Sequence, residues 1–278
     1  MENQMLFIKS HYKEDVKKAI LIGLDGVRTD CFLQARTPHI DALLPTSRYT
    51  WNAMSEFKTI SGPAWTTMLT GVHMEKHGVL DNDFKSRNLN YQTLFFLAKQ
   101  SNPQMKAVAF SNWRPIITKI FETGVLDRRG SGSDKKMTRK IISSIRNNEG
   151  DLYFLQLDDC DGAGHKYRYA IDSPKYLQAI EKLDKQVGKI IDVIKKRPKE
   201  EDWLIIVVSD HGGDGKSHGA PTVGCLTVPL IISHKGISGK EQIPGVEEDA
   251  PTLAEIVPTI AKHMEIPPKE WWDGFSLI

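Results

Sequence analysis

Apolar residues along the chain fall into short continuous runs and into longer stretches with helical spacing. Short runs of this kind are typical of strands that are buried on both faces of a sheet. They span residues 19–24, 107–110, 152–157, 204–209 and 228–233. Apolar residues repeating at three and four positions predict helices over residues 91–101, 135–145, 174–196 and 252–264. The alternation predicts an α/β fold, a doubly wound and mainly parallel sheet with helices on both faces.

Length and composition favour a single domain over residues 1–278, in which residues 1–17 form an N-terminal extension of uncertain order. The chain shows no internal repeat, and we interpret the Gly/Ser-containing stretch 129–133 as a surface loop rather than a linker. Basic and acidic residues number 37 and 35, so no surface for duplex nucleic acid is expected.

Three further features limit the classes of protein to consider. The longest apolar run, 204–208, is far shorter than a membrane-spanning helix, so no membrane association is expected. The N-terminus lacks the apolar core of a signal peptide, which predicts a cytoplasmic location unless a signal peptide has been removed, so the location stays open. Cys31, Cys160 and Cys225 are too widely spaced for a disulfide framework or a thiolate zinc site, and we expect them to be buried. The oligomeric state stays open.

Metal-binding residue types follow three of the predicted strands. In parallel sheets, ligand sites collect at the carboxyl ends of strands. The residues concerned are Asp25 after the first strand, Asp161 and His165 after the third, and Asp210, His211 and His218 after the fourth. Taken singly, Asp25–Gly26 is more often a turn, and the others could be helix caps and solvated histidines. Three carboxylates and three imidazoles together suffice for two metal ions.

Ser61 stands just before a predicted helix that has Pro63 in its first turn. A serine in this position is by default a helix N-cap. The free N–H groups of a helix start can also hold an anion, and a hydroxyl beside two cations can act as a nucleophile. The number of metal ligands favours the nucleophile.

Four motifs occur in a characteristic order: LDGVRTD from Leu24, TISGPAWTTMLTGVHMEKHGVLDN from Thr59, DGAGH from Asp161, and SDHGGDGKSHG from Ser209. With the C-terminal segment that begins PTLAEIVPTIAKHM, they resemble the alkaline phosphatase superfamily, in its branch of type I phosphodiesterases and nucleotide pyrophosphatases. The resemblance covers nearly the whole chain. It implies an alkaline phosphatase-like fold and two zinc ions, with manganese or iron as alternatives.

The resemblance also implies individual roles. One metal ion would be held by Asp25, Ser61, Asp210 and His211, and the other by Asp161, His165 and His218. Ser61 matches the nucleophile, and Thr59 is the less favoured alternative. Asn82 matches an asparagine that donates to a phosphoryl oxygen, with the backbone N–H of Gly62 as a second donor. His77 is expected to have a structural role.

The implied reaction is hydrolysis of phosphodiester or pyrophosphate bonds in a small-molecule substrate through a phosphoserine intermediate. Phosphomonoester or phosphonate hydrolysis at the same site is the alternative. Sulfate ester hydrolysis is less favoured, because sulfatases have arginine where this chain has Trp65, and bind one metal mainly through oxygen ligands. Arg114 or Lys216 could meet a phosphate charge.

In one respect the chain departs from many nucleotide pyrophosphatases, in which an aromatic residue follows the nucleophile and stacks on the base. Here Gly62 occupies that position. Trp65, Trp113 or Tyr167 could supply a replacement surface, although tryptophan more often fills a core or rim.

Overall fold

A computed structural model describes residues 15–243 and 250–278, and these residues contain eight strands of one sheet. The strands are β1 Val16–Leu24, β2 Ser47–Met54, β3 Ala107–Ser111, β4 Arg128–Ser131, β5 Leu152–Leu157, β6 Glu201–Ser209, β7 Thr227–His234 and β8 Glu241–Gln242. The α-helices are α1 Thr29–Gln34, α2 Pro38–Asp41, α3 Ser61–Thr70, α4 Met74–His77, α5 Leu94–Ser101, α6 Asp134–Arg146, α7 Asp159–Tyr167, α8 Pro174–Ile194, α9 Val223–Leu226 and α10 Ile256–His263. Ile116–Ile120 forms a π-helix, and Leu44–Thr46 and Leu253–Glu255 form 3₁₀ turns.

The strands are arranged in the order β4-β3-β5-β1-β6-β7-β2-β8. The first five are parallel, whereas β7 is antiparallel to both β6 and β2. Leu24 at the end of β1 pairs with Leu157 of β5 and with Ser209 of β6. The residues that follow these three strands therefore emerge side by side at one edge. The prediction of a mainly parallel sheet is confirmed.

Two apolar layers cover the sheet, one on each face. Along β1, Ala19 and Leu21 contact the layer that contains α3, α5 and α10, while Ile20 and Ile22 contact the layer that contains α6 and α8. Because successive strand residues point to opposite faces, a strand covered on both sides must be apolar throughout. The doubly wound arrangement is confirmed.

The sequence did not predict β2, β4 and β8. The interpretation of residues 129–133 as a surface loop is wrong, because Arg128–Ser131 pairs with β3 as the edge strand. Residues 1–14 lie outside the described part of the chain, but the expected extension cannot include Val16, which begins β1.

The predicted helices are present, with shifted ends. The helix expected from residue 91 begins only at Leu94, because the side chain of Thr93 accepts a hydrogen bond from the Phe96 N–H as its N-cap. The helix expected over 252–264 is a 3₁₀ turn followed by α10. Cys31, Cys160 and Cys225 are buried and unpaired, as expected. Over residues 15–243 and 250–278 no helix has the length and apolar character needed to cross a bilayer.

Candidate active site

Two buried carboxylates lie at the carboxyl edge of the sheet. Asp25 follows β1 on a turn in which Gly26 has φ +67°, and Asp210 follows β6. Asp210 Oδ1 accepts hydrogen bonds from the backbone N–H groups of Gly26 (3.1 Å) and His211 (2.9 Å). Asp25 Oδ1 and Asp210 Oδ2, by contrast, are buried without any hydrogen-bond partner among the described residues. Buried acceptors without a donor are costly, so these oxygens point to a missing ligand.

The raised pKa values of Asp25 and Asp210 also indicate a site for a cation. Burial, followed by the charge of Asp210, raises the pKa of Asp25 well above its usual range. Burial is also the largest cause that raises the pKa of Asp210 to about 7, and the charge of Asp161 adds to it. An adjacent cation would lower both pKa values and satisfy the two unpaired oxygens.

All three imidazoles of the site are oriented by the same kind of hydrogen bond. Nδ1 of His165, His211 and His218 lies 2.8–2.9 Å from the backbone carbonyl oxygens of Lys216, Gly212 and Thr59, respectively. Because a carbonyl only accepts, each Nδ1 carries the proton and each Nε2 presents a lone pair. Metal-binding histidines are typically fixed in this way.

A first group of ligand atoms surrounds His211 Nε2. It lies 3.2 Å from Ser61 Oγ, 3.3 Å from Asp210 Oδ2 and 3.7 Å from Asp25 Oδ1. Ligands that share one tetrahedral zinc ion are about 3.4 Å apart. The donor set of these four residues therefore fits a divalent cation.

A second group lies beside the first. Asp161 Oδ2 is 3.3 Å from His165 Nε2, and Asp161 Oδ1 is 3.8 Å from His218 Nε2. The rings of His211 and His218 are stacked with their centroids 3.9 Å apart, which makes the two groups neighbours. The buried Tyr169 donates its hydroxyl hydrogen to Asp161 and so orients it. All seven predicted metal-binding residues thus come together in two adjacent groups.

The hydroxyls of Ser61 and Thr59 have different surroundings in the structure. Ser61 is the first residue of α3, whose N-cap is Ile60, so its hydroxyl does not cap the helix. Thr59 is fully buried, where its hydroxyl donates to the Ala220 carbonyl (3.1 Å) and accepts from the Gly219 N–H (2.8 Å). Thr59 is therefore used in bonds between two loops, whereas the Ser61 hydroxyl faces the candidate metal-binding side chains.

The predicted pair of phosphoryl donors is arranged differently from the expectation. The Gly62 N–H donates to Asn82 Oδ1 at 2.7 Å and is thus already used within the protein. Asn82 is exposed, and its Nδ2 group remains as a donor for a substrate. A Cβ atom on Gly62 would overlap the Asp81 carbonyl oxygen, so this backbone excludes an aromatic residue at position 62.

Other predicted residues divide into structural and exposed ones. Trp65 is fully buried, which excludes it as a stacking surface and agrees with the more common role of tryptophan in a core. His77 is buried too; it accepts from the Val79 N–H, and its Nε2 lies 2.9 Å from the hydroxyl of Thr67 on α3. Tyr167 is 40% exposed. Trp113 is half-buried, with its ring centroid 5.9 Å from that of Phe84, whereas Arg114 and Lys216 are exposed.

Several residues of the site were missed by the sequence interpretation. Gln156 and Tyr169 hold Asp25 and Asp161, respectively, through hydrogen bonds. Asp158 also lies here, and burial, followed by the charge of Asp161, raises its pKa to about 6. The only signal in the sequence was position, since Gln156 is a polar residue inside an apolar strand and Asp158 directly follows that strand.

A second cluster of metal-binding residue types lies at the opposite edge of the sheet, formed by Asp202, His234 and His263. Here the carboxylate already contacts Lys17 at 2.8 Å and Lys235 at 3.4 Å. His234 Nε2 donates to the same carboxylate at 2.9 Å. These cationic and N–H donors occupy the oxygens that a metal ion would need, so the cluster is an ion-pair network.

Comparison with known families agrees with this geometry. The type I phosphodiesterase / nucleotide pyrophosphatase family model matches residues 19–133, and the metalloenzyme superfamily model matches residues 118–268, more than half of the chain. The chain belongs to the metalloenzyme superfamily. The predicted membership of the alkaline phosphatase superfamily, in its phosphodiesterase branch, is confirmed.

The individual relatives share little sequence identity with this chain. Human ectonucleotide pyrophosphatase/phosphodiesterase family member 5 is 26% identical over 217 residues, which are 71% of this chain and 45% of the human protein. An inactive variant of murine ectonucleotide pyrophosphatase/phosphodiesterase 5 in complex with AMP superposes with TM-score 0.74 at 14% identity, covering 90% of this chain and 96% of the murine one. A 2-O GAG sulfatase superposes with TM-score 0.74 at 14% identity, and the superposition covers 95% of this chain and 73% of the sulfatase chain. These structures show the shared fold.

Proposed function

We propose that this protein hydrolyses phosphodiester or pyrophosphate bonds in small-molecule substrates, with two zinc ions and with Ser61 as nucleophile. The observation that carries the proposal is the common orientation of His165, His211 and His218. Each donates Nδ1–H to a carbonyl and presents Nε2 beside a carboxylate of the site. A cluster of carboxylates alone would repel a phosphate ester, so cations are needed before such a substrate can bind.

Different groups have different roles in the proposed reaction. When bound, the cations would supply Lewis-acid chemistry, lowering the pKa of the Ser61 hydroxyl and neutralising charge on the reacting oxygens. Ser61 Oγ loses its proton to solvent and forms a bond to phosphorus as the bond to the leaving oxygen breaks. Asn82 Nδ2 donates to a nonbridging oxygen. Water then hydrolyses the phosphoserine and regenerates the hydroxyl.

Charge favours a diester over a monoester. The site contains Asp25, Asp158, Asp161 and Asp210, whereas the cationic side chains Arg114 and Lys216 are exposed. A diester carries one negative charge and a monoester carries up to two, so the monoester meets the stronger repulsion. The family match to phosphodiesterases and the AMP complex of the murine relative support a nucleotide-like substrate.

The test compares substrates on zinc-loaded protein. We expect bis(p-nitrophenyl) phosphate to be cleaved with a higher kcat/KM than p-nitrophenyl phosphate, phenylphosphonate esters or p-nitrophenyl sulfate. Removal of metal with EDTA should abolish the activity, and added zinc should restore it. A preference for the monoester or the phosphonate would instead support the alternative substrate class.

The nucleophile is tested with a matched pair of buried serines. Ser61→Ala should reduce kcat to background even at zinc concentrations that saturate both sites. Ser47 is also buried, at the start of β2, and its hydroxyl donates to the Leu43 carbonyl at 2.7 Å rather than to a residue of the site. Ser47→Ala should leave kcat unchanged. A Ser61→Ala protein with wild-type kcat would refute the phosphoserine intermediate.

A further inference from the structure

The two oxygens of the Asp25 carboxylate have different surroundings. Oδ2 accepts hydrogen bonds from the side chains of Gln156 (2.8 Å) and Trp65 (3.1 Å). Oδ1 has no partner among the described residues and lies 3.7 Å from His211 Nε2. One oxygen is thus fixed by the protein, and the other is left for the cation.

Gln156 can hold Asp25 in only one way. Its side chain is fully buried, and its Oε1 accepts from the Ser111 hydroxyl (2.7 Å) and from the Trp113 N–H (2.9 Å). Because a backbone N–H can only donate, the amide cannot rotate to exchange its oxygen and nitrogen. Its NH₂ group must face Asp25 and also Asp158, whose Oδ1 lies at 2.9 Å.

Trp65 is equally constrained. It is fully buried on α3, about one helical turn after Ser61, and its ring packs edge-on against Phe154 with centroids 5.9 Å apart. A Cβ atom at position 23 would overlap the indole, so Gly23 on β1 makes room for the ring beside Asp25. The indole N–H therefore links the helix that carries Ser61 to the carboxylate.

We infer that Gln156 and Trp65 are positioning residues, which hold the Asp25 carboxylate so that Oδ1 is directed at the cation shared with Ser61, Asp210 and His211. The inference rests on the proposed metal site. Groups that orient a metal ligand through a hydrogen bond typically change metal affinity by about 10-fold to 100-fold when removed. Both side chains are fully buried and cannot contact a substrate, so the expected effect of removing them is on metal affinity.

The test measures zinc affinity by competition with a chromophoric chelator. Trp65→Phe removes the indole N–H and keeps an aromatic ring, while Gln156→Glu keeps the Oε1 acceptor and replaces the donor group facing Asp25 by oxygen. Each should weaken zinc binding at one of two sites by about 10-fold to 100-fold. The control is Trp203→Phe, since Trp203 is also buried and donates its indole N–H to a carboxylate, Glu201 (2.8 Å), away from the site. It should retain wild-type affinity.

A double-variant cycle identifies the route of the effect. If Trp65 acts through Asp25, then Trp65→Phe should cause no additional loss of zinc affinity in an Asp25→Asn background. Wild-type zinc affinity in both Trp65→Phe and Gln156→Glu, with reduced affinity in Asp25→Asn, would overturn the inference and leave the proposed function intact. Wild-type affinity in Asp25→Asn would overturn the metal site itself.

A measurement on the unaltered protein covers the case in which a variant fails to fold. The ¹H–¹⁵N resonance of the Trp65 indole should shift during zinc titration with the midpoint of zinc binding, and that of Trp203 should not. A Trp65 resonance that stays fixed at saturating zinc would contradict a direct hydrogen bond to a metal ligand.

Discussion

In metal-free protein, the free energy of unfolding should fall as pH rises. The pKa of Asp210 is raised from its usual 3.8 to about 7, chiefly by burial, so the folded state binds a proton that the unfolded state has already lost. A raised folded-state pKa gives stability at low pH that disappears as pH rises through the folded value. Each pH unit over which the states differ by one proton is worth about 1.4 kcal/mol. From pH 4 to pH 7, Asp210 therefore accounts for a loss of about 3 kcal/mol.

The assay is urea unfolding of EDTA-treated protein at several pH values between 4 and 8, compared with Asp210→Asn. Asparagine has the same shape and no charge at any pH, so subtraction removes contributions that both proteins share and leaves Asp210 together with its coupling to Asp25. Burial lowers the pKa values of His211 and His218, which act in the opposite direction. Relative to Asp210→Asn, the unfolding free energy of the metal-free wild type should fall by about 4 kcal/mol between pH 4 and pH 8.

Zinc should reverse the loss. A ligand that binds only the folded state at about 1,000 times its Kd adds about 4 kcal/mol, so zinc should largely remove the difference at pH 8. If the difference in unfolding free energy between wild type and Asp210→Asn does not change with pH, then Asp210 is already ionised in the metal-free protein and its charge is balanced by other groups. The assignment of its unpaired oxygen to a cation would then fail.

Two further variants test the surroundings of the site. Gly62→Ala places a methyl group against the Asp81 carbonyl, so we expect displacement of the neighbouring Asn82 loop and at least a 10-fold lower kcat/KM for the diester, with unchanged zinc content as the check. Thr67→Val removes the hydroxyl that joins Glu56 (2.6 Å) and His77 (2.9 Å) behind α3, which should cost about 1–3 kcal/mol in urea unfolding without altering zinc affinity.

The sequence revealed the central strands because burial on both faces requires continuous apolar runs. It did not reveal β2, SRYTWNAM, in which apolar and polar residues are mixed because this strand lies near the edge, between β7 and the two-residue β8. Nor did it reveal β4, RRGS, which pairs with only one neighbour and carries no apolar residue. Strands of this kind are defined by pairing partners far along the chain, which local patterns do not contain.

The sequence could predict that the candidate metal-binding residues lie together, because carboxylates and imidazoles at strand ends have few structural explanations. The residues that orient them could not, because tryptophan and glutamine inside apolar segments resemble ordinary core residues. Trp65 and Gln156 lie 40 and 131 positions from Asp25, and their role exists only once the sheet has brought them to its carboxylate. The same applies to the Gly62 N–H, whose bond to Asn82 depends on a loop closing over the helix start.

The side chains of the candidate site are oriented by hydrogen bonds within the protein. The imidazoles are held through backbone carbonyls, Asp25 through Trp65 and Gln156, and Asp161 through Tyr169. These donors and acceptors belong to the folded chain, and they fix the ligand-type atoms 3.2–3.8 Å from one another. In the proposed enzyme, cations bound there would offset the cost of burying the carboxylates. The same arrangement leaves the Ser61 hydroxyl 3.2 Å from His211 Nε2, which is where the proposed attack on a phosphate ester would need it.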